Sequence, residues 1–305
     1  MNATLIGTVG ADLTQDEWLA RRKQGIGGSE APAIAGAVEW ASPMSVYLDK
    51  LGLTEPQDFS DNQAVEWGTR LEIPVTEKVE EVTGHAVGFR QTFYAHADYP
   101  WMLATVDGIT TNDEGEEGLV EIKTTGAWRA KTWRDDVPLH VFVQVSHDLA
   151  VTGLPWAIVG VLIGGQKFEL HHVARDEAYI AQLIELERDF VENHLIPQVP
   201  PAIDGSKASE KALAILFPED DGSEITIDGA DAEALARDYL QARDDESAAK
   251  KRKTAAANGL KVLLGAAERG TLGGYRIKWS TVSRDEYTVK ASSYRKLSVV
   301  EMEVE

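Results

Sequence analysis

Apolar positions in the first two thirds of the chain recur with two different periods. From Leu71 to Val82 they fall at helical spacing, which predicts a helix with Pro74 near its start and Gly84 at its end. The same spacing predicts helices over Leu139–Val151 and Asp176–His194. These segments make up the helical part of the predicted fold.

Short apolar runs rich in β-branched residues predict strands between these helices. Met102–Ile109 and Leu119–Thr124 flank the polar, glycine-containing segment Asn112–Gly118 and are predicted to form a β-hairpin. Trp156–Ile163 and Lys167–Val173 flank two glycines and are predicted to form a second strand pair. Because helical and strand patterns alternate, we expect one α/β domain up to about residue 199.

The pattern changes after the two prolines at positions 200 and 201. We assign residues 1–203 to the α/β domain, residues 204–228 to a linker with a short helix, and residues 229–305 to a C-terminal appendage. Asp228–Glu268 is rich in Ala, Glu, Lys and Arg, which predicts a long helix that Asn258 and Gly259 could bend or divide.

The end of the appendage has the pattern of a second hairpin. Tyr275–Val282 and Tyr287–Val289 are predicted to pair around the turn Ser283–Glu286. The appendage is therefore expected to be helical with a small β-hairpin.

Composition limits the chemistry that these elements can carry. The 305 residues include no cysteine, which excludes disulfides, thiolate zinc sites and a cysteine nucleophile. The N-terminus lacks the pattern of a secretory signal, and no apolar segment reaches the ~20 residues of a membrane span. We expect a cytoplasmic protein with no membrane contact.

The net charge of −20 argues by itself against a nucleic-acid partner, since phosphate binding depends on Lys and Arg. The acidic residues are concentrated in Asp113–Glu117, Asp176–Glu192 and Glu219–Glu246, however, while residues 21–23 and Lys123–Arg134 are locally basic. An enzyme with an acidic exterior and a basic DNA channel would have this distribution.

The first predicted hairpin carries Asp107, followed by Gly108, and then Glu121, Ile122 and Lys123. Strand side chains alternate, so Glu121 and Lys123 face one side, and an antiparallel neighbour can bring Asp107 beside Glu121. Two close carboxylates repel each other, and one would take up a proton unless a cation lies between them. Mg²⁺ or Mn²⁺ would be held by both carboxylates and by the Ile122 carbonyl. Lys123 would then position the attacking water.

Taken alone, the Asp…Glu-x-Lys pattern is equally consistent with a second interpretation, because charged residues on strands often lie on a solvated face. The apolar strand that ends in Asp-Gly, the hairpin return and the lysine two residues after the glutamate favour the metal site. No recognisable metal-ligand spacing connects His140, His147, His171 and His172, and we expect them to be structural or on the surface.

A glycine-rich turn follows Arg22 and leads to Ser29. Ser29 is predicted to cap a helix whose free N–H groups, with Arg22 alongside, suit a terminal phosphate. Taken alone, an ordinary capped helix after a flexible turn is favoured. The adjacent basic residues make phosphate binding competitive.

Two further polar residues could complete the site. Glu72, at a predicted helix start, could reach the metal or simply interact with the helix dipole, and the second alternative is favoured when it is taken alone. The amide of Gln144 could bond substrate or a carboxylate, although an isolated helical glutamine normally lies on the surface.

Aromatic and basic residues are interleaved just after the Glu-x-Lys strand. Trp128, Arg129, Lys131 and Arg134 could follow a DNA strand by stacking and charge, with Trp133 among them. Alternatively, the tryptophans belong to the core and the cations form their solvated rim.

In combination, these blocks resemble the lambda-exonuclease-like, YqaJ-type viral recombinase nucleases of the PD-(D/E)xK superfamily. The resemblance covers roughly Asp16 to Val199, and five blocks in the same order are more specific than any single one. In chain order, the blocks are Arg22 with Gly25-Ile26-Gly27-Gly28-Ser29-Glu30, Trp67-Gly68 with Glu72, Thr105-Val106-Asp107-Gly108, Val120-Glu121-Ile122-Lys123-Thr124, and Gln144-Val145 with Val151-Thr152-Gly153.

The resemblance implies an α/β fold with a PD-(D/E)xK nuclease core, in which helices flank a mixed central β-sheet. It implies that Asp107 and Glu121 bind metal, that Lys123 serves the water, that Glu72 assists the metal site and that Gln144 supports the pocket. We expect Mg²⁺ or Mn²⁺, with two ions per active site.

The implied activity is 5′-to-3′ digestion of one strand of linear duplex DNA to 5′-mononucleotides, with Arg22 and Ser29 holding the 5′ phosphate. The 3′ single strand would pass to an annealing protein in phage-type recombination. The resemblance also implies a homo-oligomer, which could be a ring around DNA. Double-stranded DNA ends are thus the expected partner.

One departure from the family pattern is Ser146, where relatives often have glutamine, and it changes a polar contact beside Gln144. Two other functions compete with the exonuclease. One is an endonuclease or repair nuclease with the same metal chemistry, and the other is a DNA-end-binding protein that does not cut. The complete set of Asp107, Glu121 and Lys123 argues against the second.

Overall fold

A computed structural model describes residues 3–54, 61–283, 297 and 299. Contacts divide the chain into two compact units, Met1–Leu216 and Phe217–Glu305. Among the described residues, no helix is both long enough and apolar enough to cross a membrane.

The first unit alternates strands and helices, as expected for an α/β protein. Its strands are β1 (Ala3–Thr8), β2 (Ile26–Gly27), β3 (Thr92–His96), β4 (Met102–Val106), β5 (Gly108–Thr111), β6 (Glu117–Thr125), β7 (Trp156–Ile163) and β8 (Lys167–Ala174). Its α-helices are α1 (Gln15–Arg22), α2 (Ala31–Ile34), α3 (Pro43–Lys50), α4 (Gln63–Thr83), α5 (Leu139–Thr152), α6 (Glu177–Phe190) and α7 (Lys207–Leu216).

The strands of this unit form two four-stranded sheets, ordered β1-β3-β4-β2 and β5-β6-β7-β8 among the described residues. Both sheets are mixed, because β2 is parallel to β4 and β6 is parallel to β7, while the other neighbours are antiparallel. The expected α/β class with mixed sheets flanked by helices is confirmed. The single central sheet is instead divided in two.

The division falls at Asp107, between the end of β4 and the start of β5. The predicted strand Met102–Ile109 was therefore wrong as one strand. Its first part pairs with β3, while Gly108–Thr111 forms the expected hairpin with β6. A single residue thus joins the two sheets.

Helices cover both faces of β6. Leu119 belongs to the apolar cluster that includes Val141 and Val145 of α5. Ile122 points to the opposite face, where it belongs to the cluster that includes Val79 of α4. This strand alternation leaves Glu121 and Lys123 on the α5 side.

The helix α4 is longer than predicted. It begins after Asn62, whose side chain accepts hydrogen bonds from two N–H groups of the first turn, and it ends at Gly84 with φ of 77°. Pro74 lies inside this helix, where it removes the hydrogen bond to the carbonyl of Arg70. The prediction that Pro74 lies near the start was wrong, because Asn62 sets the beginning.

The other predicted elements of the first unit are confirmed. The helix α5 ends at Gly153 with φ of 72°, and α6 is capped by Asp176 and continues as a π-helical turn over Val191–Leu195. The strands β7 and β8 pair around Gly164 and Gly165, both of which have positive φ. A 3-10 helix, Ala127–Trp133, follows β6.

The second unit contains a 35-residue helix, α8 (Ala230–Leu264), which runs through Asn258 and Gly259 without interruption. It also contains β9 (Arg269–Leu272) and β10 (Tyr275–Lys278), which pair with each other. The predicted strand that starts at Tyr275 is present as β10, and its pairing with β9 was not predicted. Tyr287–Val289 lies outside the described residues.

Candidate active site

Asp107 and Glu121 lie on adjacent parts of the two sheets. Asp107 Oδ2 accepts a hydrogen bond from the Ile122 N–H at 2.8 Å, just where β5 has left the edge of β6. Glu121 is buried, and Lys123 Nζ lies 2.5 Å from its Oε1. The structure therefore brings together the three residues that the hairpin pattern singled out.

Gln144 reaches this group from α5. Its amide nitrogen donates to Glu121 Oε1 at 2.8 Å, and its Oε1 accepts from Lys123 Nζ at 2.9 Å. A closed network of three side chains results, in which the carboxylate, the ammonium and the amide fix one another. Gln144 is thus not an ordinary surface glutamine.

Glu72 approaches Asp107 through a residue that sequence reasoning missed. Gln91 Nε2 donates to Glu72 Oε1 at 2.7 Å and to Asp107 Oδ1 at 3.3 Å. Since α4 begins at Gln63, Glu72 lies within the helix, and the prediction of a helix-start position with its dipole alternative was wrong.

Gln91 has a backbone conformation that is costly for a residue with a side chain. Its φ is 52°, in the left-handed region, and such strain often occurs at functional sites. Nothing in the sequence around Gln91 distinguishes it, because its importance comes from two partners far away along the chain.

The electrostatics of this pocket favour a bound cation. Burial, and then the nearby charge of Glu121, raise the pKa of Asp107 well above its usual value, and Lys123 offsets this only in part. Burial alone would lower the pKa of Lys123, but the charges of Glu121 and Asp107 outweigh it and raise that pKa. The lysine is therefore held charged, while the ionised form of Asp107 is disfavoured beside Glu121, and a further cation would relieve this.

The oxygen donors of this pocket suit a hard divalent ion, although they do not form a complete cage of side chains. Among the described residues, no three His, Asp or Glu side chains are gathered in a metal-binding arrangement. Asp107 and Glu121 provide two oxygen donors. In a strand, the N–H and C=O of one residue face the same side, so the Ile122 carbonyl points to the edge where Asp107 lies.

Arg22 and Ser29 meet at the glycine-rich turn. The Arg22 guanidinium donates to Ser29 Oγ and lies over the Trp18 ring, 5.2 Å from its centroid. The predicted capping role of Ser29 was wrong: α2 has only four residues, and its N-cap is Glu30, which makes no side-chain capping bond. The Ser29 hydroxyl is oriented by Arg22 instead.

A buried ion pair beneath the turn was also missed from the sequence. Lys50 Nζ lies 2.7 Å from Glu30 Oε2 and donates to the Arg22 carbonyl at 2.7 Å, while the Gly27 N–H donates to Glu30 at 2.9 Å. Burial lowers the pKa of Lys50, although Glu30 partly offsets this. The pair fixes the turn from below, and no local pattern around Lys50 predicts it.

Asp148 connects the turn with the helix that carries Gln144. This buried carboxylate lies so close to Gly28 that an added Cβ there would be 2.7 Å from Oδ2. Burial raises the pKa of Asp148 to about 8; His147 opposes this shift, and Glu121 adds to it. The turn and the carboxylate pocket therefore adjoin the same side of α5.

His147 is structural, in line with one of the two expectations for it. Its Nδ1 lies 2.9 Å from Glu187 Oε1, its Nε2 lies 3.0 Å from the Leu103 carbonyl, and both side chains are fully buried. Burial would lower the pKa of His147, but the Glu187 carboxylate raises it to about 9. The imidazolium ties α5 to α6 and to β4.

The aromatic and basic segment after β6 divides into core and surface. Trp133 is buried, as one alternative expected, whereas Trp128 is 78% exposed. The Arg129 guanidinium lies 4.5 Å from the Trp128 ring centroid and 5.9 Å from that of Trp40, which is 62% exposed. Lys131 and Arg134 are exposed.

Trp40 had not been singled out from the sequence. It also lies edge-on to His140, with ring centroids 5.2 Å apart. Burial, and then the charges of Lys123 and Arg129, lower the pKa of His140. Because His140 is close enough to Lys123 to be affected by its charge, this aromatic surface lies near the carboxylate pocket.

The fold and this site define a class of protein. Asp107, which directly follows β4, and Glu121 and Lys123 on β6 form the PD-(D/E)xK arrangement within mixed sheets. Residues 17–155 match the family described as YqaJ-like viral recombinase domain.

A curated relative agrees with this match. The chain is 32% identical to "Uncharacterized protein YqaJ" of Bacillus subtilis over 284 residues, which cover 92% of this chain and 88% of the relative. The chain belongs to the YqaJ family.

Solved structures that this chain matches include the alkaline exonuclease LHK-Exo of Laribacter hongkongensis. The TM-score is 0.49, at 20% identity, over 59% of this chain and 92% of that chain. The same enzyme in complex with dAMP gives 0.49 at 22% identity, also over 59% and 92%.

Proposed function

We propose that this protein is a metal-dependent exonuclease that degrades one strand of linear double-stranded DNA from 5′ to 3′ and releases 5′-mononucleotides. The observation that carries the proposal is the closed network of Glu121, Lys123 and Gln144 beside Asp107, which adjoins the Arg22–Ser29 turn on the same side of α5. Membership of the YqaJ family supports it.

The metal we propose is Mg²⁺ or Mn²⁺, with two ions per active site. Asp107, Glu121 and the Ile122 carbonyl would be the protein ligands of the metal. Bound metal would offset negative charge on the phosphate and lower the pKa of a water molecule. Gln91 donates hydrogen bonds to both Glu72 and Asp107, and Glu72 would assist the metal site through this connection.

Lys123 would hold the attacking water and offset negative charge on the phosphate in the transition state. Its Nζ is directed by Glu121 and Gln144, so little reorganisation is needed when substrate arrives. Gln144 would act by holding the side chains of Lys123 and Glu121 in fixed relative positions.

The Arg22–Ser29 pair would hold the 5′ phosphate. An arginine and a hydroxyl suit a phosphate dianion, and the exposed Ser29 is already within reach of the guanidinium. Glu30 and Lys50 would act as positioning residues, because they bond the backbone of the turn rather than face solvent. An anchored 5′ end gives the direction of digestion.

The exposed surface of Trp128, Arg129, Lys131 and Arg134, joined by Trp40, would contact DNA by stacking and charge. The 3′ single strand left behind would serve phage-type homologous recombination in the cytoplasm, through a single-strand annealing protein. A homo-oligomer, in the form of a ring, would keep the enzyme on its substrate.

The direct test is digestion of linear duplex in Mg²⁺ by the wild type, by Lys123→Ala and by the control Lys167→Ala, whose lysine is an exposed partner of Glu169. Wild type and control should release mononucleotides at equal rates, and Lys123→Ala should lose at least 100-fold, as expected when a group that acts in the transition state is removed. Full activity of Lys123→Ala would exclude the proposed site.

Substrate design separates the competing functions. Covalently closed circles should stay intact; their cleavage would indicate an endonuclease or repair nuclease. Linear duplex that is bound but never cut would indicate an end-binding protein. Strand-specific labels and a comparison of 5′-phosphate with 5′-hydroxyl ends test the direction, since slower initiation is expected without the phosphate.

The metal requirement can be measured apart from catalysis. Calorimetric titration of Lys123→Ala with Mn²⁺ should give two ions per chain, and Glu121→Gln should weaken binding at least tenfold, because it removes an oxygen charge from the donor set. Equal binding by both variants would show that Glu121 is not a ligand.

A further inference from the structure

Gln91 directly precedes β3 and lies beside Asp107. In the antiparallel register of β3 and β4, Thr92 pairs with Val106, which sets the preceding Gln91 across from Asp107. The side-chain nitrogen of Gln91 then reaches two carboxylates, Glu72 Oε1 at 2.7 Å and Asp107 Oδ1 at 3.3 Å. Gln91 thus connects the helix α4 to the end of β4.

The turn that carries Gln91 is held on two sides. Glu80 of α4 accepts a hydrogen bond from the Val87 N–H at 2.8 Å. Gly88 exchanges two backbone hydrogen bonds with Ile109 of β5, at 2.8 and 2.9 Å. Because both α4 and β5 fix the backbone of this turn, the position from which the Gln91 side chain starts is well defined.

Two residues of this turn adopt a backbone conformation that suits glycine better than a residue with a side chain. Phe89 and Gln91 have φ of 53° and 52°, in the left-handed region. The Phe89 side chain is 59% exposed, whereas the partly buried Gln91 ends on the two carboxylates. The chain therefore has a glutamine where glycine would fit the backbone better, and the contacts that glutamine adds are those to the carboxylates.

Of the two carboxylates, Glu72 depends on Gln91 more strongly. Asp107 is also fixed by the Ile122 N–H, which donates to its Oδ2 at 2.8 Å. Within the described residues, Gln91 is the one hydrogen-bond partner of the Glu72 carboxylate. Two negative charges repel each other, and a glutamate without a partner would turn away from Asp107 to another rotamer. Gln91 opposes this movement.

We propose that Gln91 is a positioning residue that holds Glu72 at the metal site beside Asp107. This inference rests on the proposed function as a metal-dependent nuclease. An amide suits the role because its NH₂ group has two hydrogens to donate and carries no charge. A lysine or an arginine at this position would neutralise the carboxylates, whereas a neutral donor orients them and leaves their charge to attract the cation.

Calorimetric titration of the full-length protein with Mn²⁺ tests the proposal without DNA. Gln91→Gly removes the amide and suits the left-handed backbone, so it should fold as wild type does in EDTA, as measured by circular dichroism. It should nevertheless bind at least one of the two proposed ions about 10- to 100-fold more weakly, as expected when a residue that orients metal ligands is lost. Gln91→Met, which keeps the length of the side chain but cannot donate, should show the same loss.

Phe89→Gly is the matched control, because it changes the other left-handed residue of the turn and contacts neither carboxylate. It should bind Mn²⁺ as wild type does. If both glycine variants lost affinity equally, the backbone of the turn would position Glu72 and the proposal would fail. Wild-type affinity in Gln91→Gly and Gln91→Met would also overturn it. A wild-type protein that bound no Mn²⁺ would overturn the proposed function together with this inference.

Digestion of linear duplex gives a second readout. Because the defect lies in metal binding, kcat of Gln91→Gly should fall at limiting Mn²⁺ and recover at saturating Mn²⁺, with KM for DNA unchanged. A loss of kcat that saturating Mn²⁺ did not restore, in a variant that folds as wild type does, would show that Gln91 does not act through the metal site.

Discussion

The carboxylate of Asp148 lies against the Cα of Gly28, and this contact is where the glycine-rich turn meets the helix of Gln144. The φ of Gly28 is not in the left-handed region, so the glycine is required here by space. Any side chain at this position would separate the turn from α5.

Gly28→Ala is therefore expected to displace the turn. An added methyl would lie 2.7 Å from Asp148 Oδ2, and such overpacking typically costs about 1–3 kcal/mol of stability. We expect at least a tenfold loss of kcat/KM on 5′-phosphorylated duplex. Gly205→Ala is the control, because nothing lies within 4 Å of its added Cβ. Equal activity of the two variants would contradict the steric account.

Asp148→Asn is expected to stabilise the metal-free protein at alkaline pH. The pKa of Asp148 is raised from 3.8 to about 8, so the folded state binds this proton more tightly than the unfolded state. Stability is thus lost as pH rises towards 8, and an asparagine avoids the loss. In EDTA, the unfolding free energy of the variant should exceed that of wild type on the order of 2 kcal/mol at pH 8, less at pH 5.

A pH-independent difference between Asp148→Asn and wild type would mean that the carboxyl does not titrate in this range. Asp98→Asn, on an exposed turn, serves as the control and should leave the pH dependence unchanged.

Glu187→Gln is expected to destabilise the fold by about 3–5 kcal/mol, because it leaves the His147 imidazolium buried without its counter-charge. The pKa of His147 is raised from 6.5 to about 9, so its contribution is fully present below pH 6.5 and disappears as pH rises through 9. Urea unfolding at pH 6 and pH 9.5 should therefore show a smaller difference at the higher pH.

His172→Gln provides the matched control for this pair, since His172 is exposed. It should change stability by less than about 0.5 kcal/mol at either pH. If Glu187→Gln had an equally small effect, His147 would be neutral in the folded protein.

Trp40→Ala is expected to weaken DNA binding without changing stability. The ring stacks on Arg129 and is exposed, and base stacking on such an aromatic contributes about 1–3 kcal/mol. Fluorescence anisotropy in Ca²⁺ should give a dissociation constant at least fivefold higher. The control is Trp279→Ala, which changes a half-exposed tryptophan of the second unit and should bind DNA as wild type does. Equal dissociation constants for the two variants would show that Trp40 does not contact DNA.

The central group of this site could be predicted because its geometry is local. Strand alternation alone places Glu121 and Lys123 on one face, and a hairpin return brings Asp107 beside them. Helix stops at Gly84 and Gly153 were equally readable, because their left-handed conformation favours glycine.

The supporting residues could not be found in this way. Gln91, Lys50, Asp148 and Trp40 each act through partners far away along the chain, and no spacing rule connects them. The misplaced cap at Ser29 has a related cause, because its hydroxyl bonds Arg22 instead of the backbone that a capping pattern assumes.

The passage of the chain from one sheet to the other at Asp107 has a mechanical consequence. Asp107 closes the first sheet and Glu121 belongs to the second, so the gap between the two carboxylates depends on how the sheets are aligned. Small changes in packing at the boundary between the two sheets would therefore alter metal affinity, even when the substitution contacts neither carboxylate.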